Sequence, residues 1–278
     1  SSRLLDERRW GTPTLQAMFA PCGNCSKAKS GDVEDVLADR EGLREERPEY
    51  IFPNGVKYTG QWFDDEPDGD GIQLWPDGGK YNGEFRGGKA EGFGTFYYAN
   101  GNVYSGPWVN DFAHGQGICA MRDGSTYKGE WAVGKQHGEG SLTLKDGSQF
   151  TGQYVDGVKC GSGTFVFKGD REGSSFKGEF REDAFHGYGT YSWNDGRQYE
   201  GQWRKNKMHG FGVFTFADGR KYVGQYVEDE KSGKGIYEWP DGRRYDGEFA
   251  HGKMHGKGTY IDKSGVKSQG EWWEGKRR

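Results

Sequence analysis

The stretch Tyr199-Glu200-Gly201-Gln202-Trp203-Arg204-Lys205-Asn206-Lys207-Met208-His209-Gly210-Phe211-Gly212-Val213-Phe214-Thr215-Phe216-Ala217-Asp218-Gly219-Arg220-Lys221 decides the fold, because it recurs along the chain. An aromatic-x-Gly unit begins at Tyr58, Tyr81, Tyr104, Tyr127, Phe150, Phe176, Tyr199, Tyr222 and Tyr245, at a spacing of 23 residues, with a single spacing of 26 between Phe150 and Phe176. A second aromatic follows at Trp62, Phe85, Trp108, Trp131, Tyr154, Phe180, Trp203, Tyr226 and Phe249. A pair of glycines comes next, from Gly69 and Gly71 in the first unit to Gly256 and Gly258 in the ninth. Asp-Gly or Asn-Gly then stands near the end of the unit, as at Asp77-Gly78, Asn100-Gly101 and Asp218-Gly219. Self-similarity at one period over nine units defines a repeat architecture, in which each unit buries its apolar face only by stacking on its neighbours.

The columns translate into local structure. Tyr-x-Gly-x-Trp alternates with the period of a strand, one face of which is aromatic. Glycine between two aromatics on the same face leaves a gap for a ring from a neighbouring strand. After the glycine pair the alternation continues, with Phe214 and Phe216 on one face and Val213 and Thr215 on the other. Asp-Gly and Asn-Gly suit the positive φ of tight hairpin turns. The expected unit is therefore two antiparallel strands with a longer loop inside it and a tight turn between units. With strands about 4.8 Å apart, one unit advances roughly 9.5 Å and nine units span on the order of 85 Å. The extra residues within 168–175 fall in an inter-unit turn and should bulge outward. Half-units at Tyr50-Ile51-Phe52-Pro53-Asn54-Gly55 and Gly270-Glu271-Trp272 cap the array.

The expected fold is an all-β repeat protein: an elongated, twisted, single-layer antiparallel sheet of stacked hairpins over residues 50–278. An N-terminal extension, 1–49, precedes it, where the repeat pattern vanishes and apolar residues are scattered. The spacing there predicts one short helix over 32–41, capped by Asp32, with Val33, Val36 and Leu37 on one face and Gly42 and Pro48 beyond it.

Composition narrows the function classes. Fifty glycines accompany 10 Trp, 16 Tyr and 17 Phe, which is unlike a low-complexity chain and unlike an enzyme with a thick aliphatic core. The net charge of −4 gives no reason to expect nucleic acid as a partner. The sequence has no apolar run long enough for a membrane helix and opens without a signal-type hydrophobic segment. Four scattered cysteines do not make a disulfide framework, so a reducing, cytoplasmic setting is expected.

Candidate chemistry is sparse. His114, His137, His186, His209 and His255 share one repeat column, but neighbouring units hold them about 9.5 Å apart, whereas zinc ligands each lie about 2 Å from the ion. Their expected role is structural. Cys22-Gly23-Asn24-Cys25 has the spacing of half a metal or redox site; an incidental role and a metal shared with a partner both stay open. Gly-x-Gly recurs without the helix a phosphate loop requires. Carboxylates such as Asp123, Asp146 and Asp241 stand in turn columns, and no column departs from its pattern to gather a nucleophile, a base and an orienting acid. The expectation is a chain with no catalytic residues, no cofactor and no resident metal.

The motif Tyr199-Glu200-Gly201-Gln202-Trp203, followed by His209-Gly210-Phe211-Gly212, resembles the MORN repeat family, and the resemblance runs from about Tyr50 to the C-terminus. It departs at Asp68, Glu91, Cys160 and Ser232, where the family often carries His, and at Ser268, where Tyr is expected. The resemblance implies a rod-like antiparallel sheet, often paired into homodimers, in proteins of cilia, cytoskeleton and membrane junctions. It also implies two alternatives: a tether for anionic phospholipid, and an accessory subunit of a separate enzyme.

The sequence adds its own argument for a scaffold. No segment supplies a second layer for the aromatic face, and an apolar stripe of that length marks an interaction surface. Phe96, Tyr98, Phe165, Phe167, Tyr191 and Trp193 are the expected partner-binding residues. Residues 196–278 carry 17 Lys and Arg against 12 Asp and Glu, densest at Arg243, Arg244, Lys276, Arg277 and Arg278, the expected contacts for lipid headgroups.

Overall fold

The computed structural model describes residues 43–278; the expected helix over 32–41 and the Cys22/Cys25 pair lie outside them. Over that span the chain forms one antiparallel meander of 22 strands, each paired with the next in sequence except that Phe112–Ala113 and Gly115–Ala120 both pair with Val103–Val109. Among the described residues after the first strand, the one other element is a short 3-10 helix, Gly169–Arg171. The sheet begins at Glu45–Ile51, earlier than the expected boundary at 50. It ends at the two-residue strand Lys276–Arg277 on Lys267–Trp273.

The seventh unit shows how the sequence builds each hairpin. Gln198–Arg204 and Lys207–Thr215 pair from Gln198↔Thr215 to Arg204↔Lys207. Lys205 and Asn206 alone connect them, with φ of 49° and 65°. Two successive positive φ values define the two-residue turn whose twist matches that of the strands. The turn inside the unit is therefore the tightest in the fold, contrary to the longer loop expected there. Between units the link has three residues: the Trp75 N–H donates to the Gly79 carbonyl at 2.9 Å, and the Gly78 N–H to the Trp75 carbonyl at 3.0 Å. Gly78, at φ 94°, takes the left-handed position. Asp77 Oδ1 holds the turn by accepting from the Gly79 N–H at 2.9 Å. The insertion lies in such a link, as expected, closed by the Phe167 N–H to the Ser174 carbonyl at 3.0 Å.

The two glycines of each pair have different tasks. The first, as Gly210 at φ 59°, makes a bulge. This leaves the next N–H without a ladder partner, and a side chain of the preceding strand takes it: Phe211 donates to Gln202 Oε1 at 2.8 Å and Phe93 to Glu84 Oε1 at 2.9 Å. The second faces another glycine across nearly every strand pair, from Gly60↔Gly71 to Gly258↔Gly270. Onto the facing pair within a unit folds one tyrosine, as Tyr199 does over Gly201 of its own strand and Gly212 of the next. The gap between the two aromatics of a strand thus takes that strand's own ring and not a neighbour's. Its hydroxyl then donates three residues ahead, as Tyr199 does to the Gln202 carbonyl at 3.0 Å.

The aromatic face forms its own core. Tyr58, Tyr81, Tyr104, Tyr127, Phe150, Phe176, Tyr199, Tyr222 and Tyr245 are buried, and so are the second aromatics from Trp62 to Trp272. Each ring of the first column meets the second aromatic of its own unit and of the next, edge to face. Tyr81 lies 5.0 Å from Phe85 and 5.2 Å from Trp108, and Tyr245 lies 4.9 Å from Trp272. Such pairs contribute about 0.5–1.5 kcal/mol each beyond area burial. At the first edge, the buried Asp68 stands in the histidine column and pairs with Arg44 at 2.8 Å.

Candidate functional site

A second aromatic track runs beside the first on the same face. It comprises the residue opposite each first-column ring and the residue opening each inter-unit turn. Trp75 meets Phe96 at 5.2 Å and Phe96 meets Tyr98 at 4.5 Å. After an interval of Cys119, Met121, Leu142 and Leu144 the track resumes with Phe165 on Phe167 at 4.6 Å and Tyr191 on Trp193 at 4.5 Å. It continues through Phe214, Phe216, Tyr237 and Trp239 to Tyr260. All six expected partner-binding residues lie on this track. Stacking covers them more than expected: Phe167 and Tyr191 are buried, and Phe96, Tyr98, Phe165 and Trp193 are half-buried.

Three of the six meet at a cavity of about 460 Å³ lined by Phe167, Tyr191 and Trp193 together with Arg171, Phe185, Trp203, Asn206, Met208 and Asp229. Phe167 and Trp193 open two successive inter-unit turns, and Arg171 belongs to the inserted one. The Arg171 guanidinium lies 4.1 Å from the Phe167 ring centroid, within cation–π range. On the opposite side stand the within-unit turns. Asn206 Oδ1 accepts from the Phe185 N–H and Asp229 Oδ1 from the Met208 N–H, both at 2.8 Å. Phe185 stacks on Phe176 at 3.8 Å with planes 13° apart. The cavity is an open trough of mixed lining, its rings flanked by a guanidinium on one rim and a carboxylate on the other, suited to a side chain that is partly aromatic or aliphatic and partly polar.

Phe185, Met208, Asn206, Asp229 and Arg171 escaped the sequence reading. Their signal was variability. The position of Phe185 and Met208 holds Pro67, Ala90, Ala113, Gln136, Lys159, Lys231 and Met254 in other units, an irregular column within a strict repeat.

The basic C-terminal residues do not converge. Arg243 Nε binds Asp241 at 2.7 Å, and its guanidinium lies 5.3 Å from the Trp239 ring. Arg244 pairs with Asp246 at 3.2 Å. Arg277 donates to the Gln269 carbonyl at 2.7 Å and to Ser268 Oγ at 3.2 Å, Arg278 lies 4.8 Å from the Trp273 ring, and Lys276 is exposed on the last strand. Among the described residues no three His, Cys, Asp or Glu side chains gather as metal ligands. No helix among them is long and apolar enough to cross a membrane.

Comparison with known proteins adds the following. No curated protein matches the chain in sequence. The zebrafish (Danio rerio) CPAP TCP10 domain, solved with a peptide of Danio rerio STIL, is similar over 81% of this chain and 99% of its own, at 13% identity and a TM-score of 0.30. The Drosophila melanogaster SAS-4 TCP domain, solved with a proline-rich motif of Ana2, covers 65% of this chain and 84% of its own at 10% identity and a TM-score of 0.28. A CPAP G-box domain covers 82% of this chain and all of its own at 13% identity and a TM-score of 0.37. The family model of the MORN repeat matches nine times, at residues 58–80, 81–103, 104–126, 127–149, 150–169, 176–196, 199–219, 222–243 and 245–267. With the tyrosine column, the glycine row and the two kinds of turn in register through all nine, the chain belongs to the MORN repeat family.

Proposed function

We propose that this chain is a non-catalytic scaffold subunit that holds a protein partner against the aromatic side of its sheet, within a cytoskeletal, ciliary or membrane-associated assembly. The observation that carries the reading is the trough at Phe167, Tyr191 and Trp193, where the second track opens into a cavity of about 460 Å³. The first aromatic column is sealed by its own stacking and needs no partner. The second track is covered only in part, and its half-buried rings are the type of surface that anchors protein interfaces.

The test is quantitative affinity purification of the tagged chain from its native cells, beside the double variant Phe165→Ser with Trp193→Ser. Circular dichroism must first show that the variant keeps the sheet. Loss of most of the partner signal from the variant supports the docking surface. Full retention of every partner, or recovery of the wild-type chain as a lone monomer, overturns it.

A further inference from the structure

Aligned by the repeat, two units carry the same three rings, one with two cations of its own chain against them and one with neither. In the eighth unit Phe216, Tyr222 and Tyr237 surround the chain's own lysine: Lys231 Nζ lies 5.1 Å from the Phe216 centroid, 5.4 Å from Tyr222 and 5.1 Å from Tyr237. A second cation joins it, with Arg220 4.8 Å from the Phe216 centroid and paired to Asp218 at 2.7 Å. Burial first, then the charge of Arg220, lowers the pKa of Lys231. This box is filled from within.

In the second unit the corresponding rings are Trp75, Tyr81 and Phe96. Tyr81 and Phe96 are cross-strand partners, as Tyr222 and Tyr237 are. Trp75 and Phe96 lie 5.2 Å apart, where Phe216 and Tyr237 lie 5.8 Å apart. The turn carboxylate is kept too, with Asp77 accepting from the Gly79 N–H as Asp218 accepts from the Arg220 N–H. Both cations are missing: Ala90 stands in the column of Lys231 and Gly79 in that of Arg220. Trp75 and Phe96 remain half-buried. The other units differ. Met208 and Met254 occupy the column in the seventh and ninth, and the third, with Ala113, has Cys119 in place of the third ring.

We propose that the box of Trp75, Tyr81 and Phe96, with Asp77 beside it, receives the ammonium of a lysine side chain from a partner protein, in the way its counterpart receives Lys231. Ring faces attract a cation electrostatically, and the attraction grows as water is excluded. The second unit presents three rings and a carboxylate with no arginine to repel the guest. A lysine suits it, because an unbranched four-carbon stem ending in an ammonium is what the eighth unit already holds. The inference deepens the docking reading by naming a side chain and a place, and its test needs no macromolecular partner, so either can fail alone.

Protein labelled with 13C at alanine methyl groups is titrated with Nα-acetyl-lysine N-methylamide, and the Ala90 methyl is followed by NMR. The expected result is a saturable shift in the millimolar range, at least tenfold larger than that caused by the neutral norleucine analogue. Gly79→Arg supplies the cation the eighth unit has. A Cβ at this position meets Asp77 Oδ1 at a tight 3.2 Å and the Phe96 ring at an ordinary 3.5 Å. The Asp77 side chain is exposed and can shift, and Arg220 occupies the same position in the counterpart turn, so the variant should fold. It should weaken binding at least tenfold. An Ala90 methyl that does not move in the folded protein overturns the inference, as does an equal response to norleucine or unchanged affinity in Gly79→Arg.

Discussion

Tyr222 shows what one residue of the repeat must satisfy. Its ring lies over Gly224 and Gly235, and its hydroxyl donates to the Gln225 carbonyl at 3.0 Å. A Cβ on Gly235 would stand 2.5 Å from the hydroxyl oxygen and 2.6 Å from a ring carbon, with the ring sealed on its other side by Tyr226 and Phe249. The glycine is required by contact, not by backbone angle. The hydroxyl matters less, since Phe150 and Phe176 occupy the same column without one. Gly235→Ala should therefore destabilise the array by about 1–3 kcal/mol, the usual cost of overpacking. Tyr222→Phe should cost about 0.5–1.5 kcal/mol, the net value of one hydrogen bond. Urea unfolding of both variants checks the order; a Gly235→Ala protein more stable than Tyr222→Phe would refute this account of the glycine row.

At the level of the hairpin, the bulge is the element that needs support. In the seventh unit the Phe211 N–H is served by Gln202 Oε1, and other units place Glu84, Glu130 and Glu179 in the same role. Either side chain offers the oxygen, so Gln202→Glu should change stability by less than about 0.5 kcal/mol, as a surface substitution that keeps the bond. Gln202→Ala removes the acceptor and should cost about 1 kcal/mol, with faster amide exchange at Phe211. Equal stability of the two variants would show that water serves the N–H as well.

The strands and their period were legible because alternation and glycine spacing are local, while the turn lengths were not. Asp-Gly advertised the inter-unit turn, whereas the two-residue turns, such as Lys205-Asn206, Glu182-Asp183 and Val133-Gly134, keep only Gly, Asn or Asp at the second position, a weaker signal of positive φ beside a first position that varies freely. The trough followed the same rule. Phe167, Tyr191 and Trp193 stood out as aromatic columns, whereas Phe185, Met208 and Asp229 converge only through strand register.

Across the sheet, the first column makes the stability of seven of the nine units depend on hydroxyls that share one environment. Burial raises the pKa of Tyr58, Tyr81, Tyr104, Tyr127, Tyr199, Tyr222 and Tyr245 above the ordinary value of 10.0, Tyr245 to about 12. A hydroxyl that ionises less readily when folded releases its proton more easily in the unfolded chain. Its contribution is complete below pH 10 and falls as the pH climbs towards the folded value. Because the column tyrosines are linked through the second aromatics, as Tyr199 and Tyr222 are through Tyr226, ionisation at one weakens the next. Loss should then spread within each of the two runs that Phe150 and Phe176 separate instead of staying in one hairpin. Stability should be flat from pH 7 to about 9 as far as these groups govern it, then drop steeply between pH 10 and 12. Tyrosinate absorbance should rise together with the loss of β-sheet ellipticity. If the column tyrosines ionise near pH 10 while the sheet signal stays intact, the stacked rings are open to solvent, and the self-sealed core that leaves only the second track for partners does not exist.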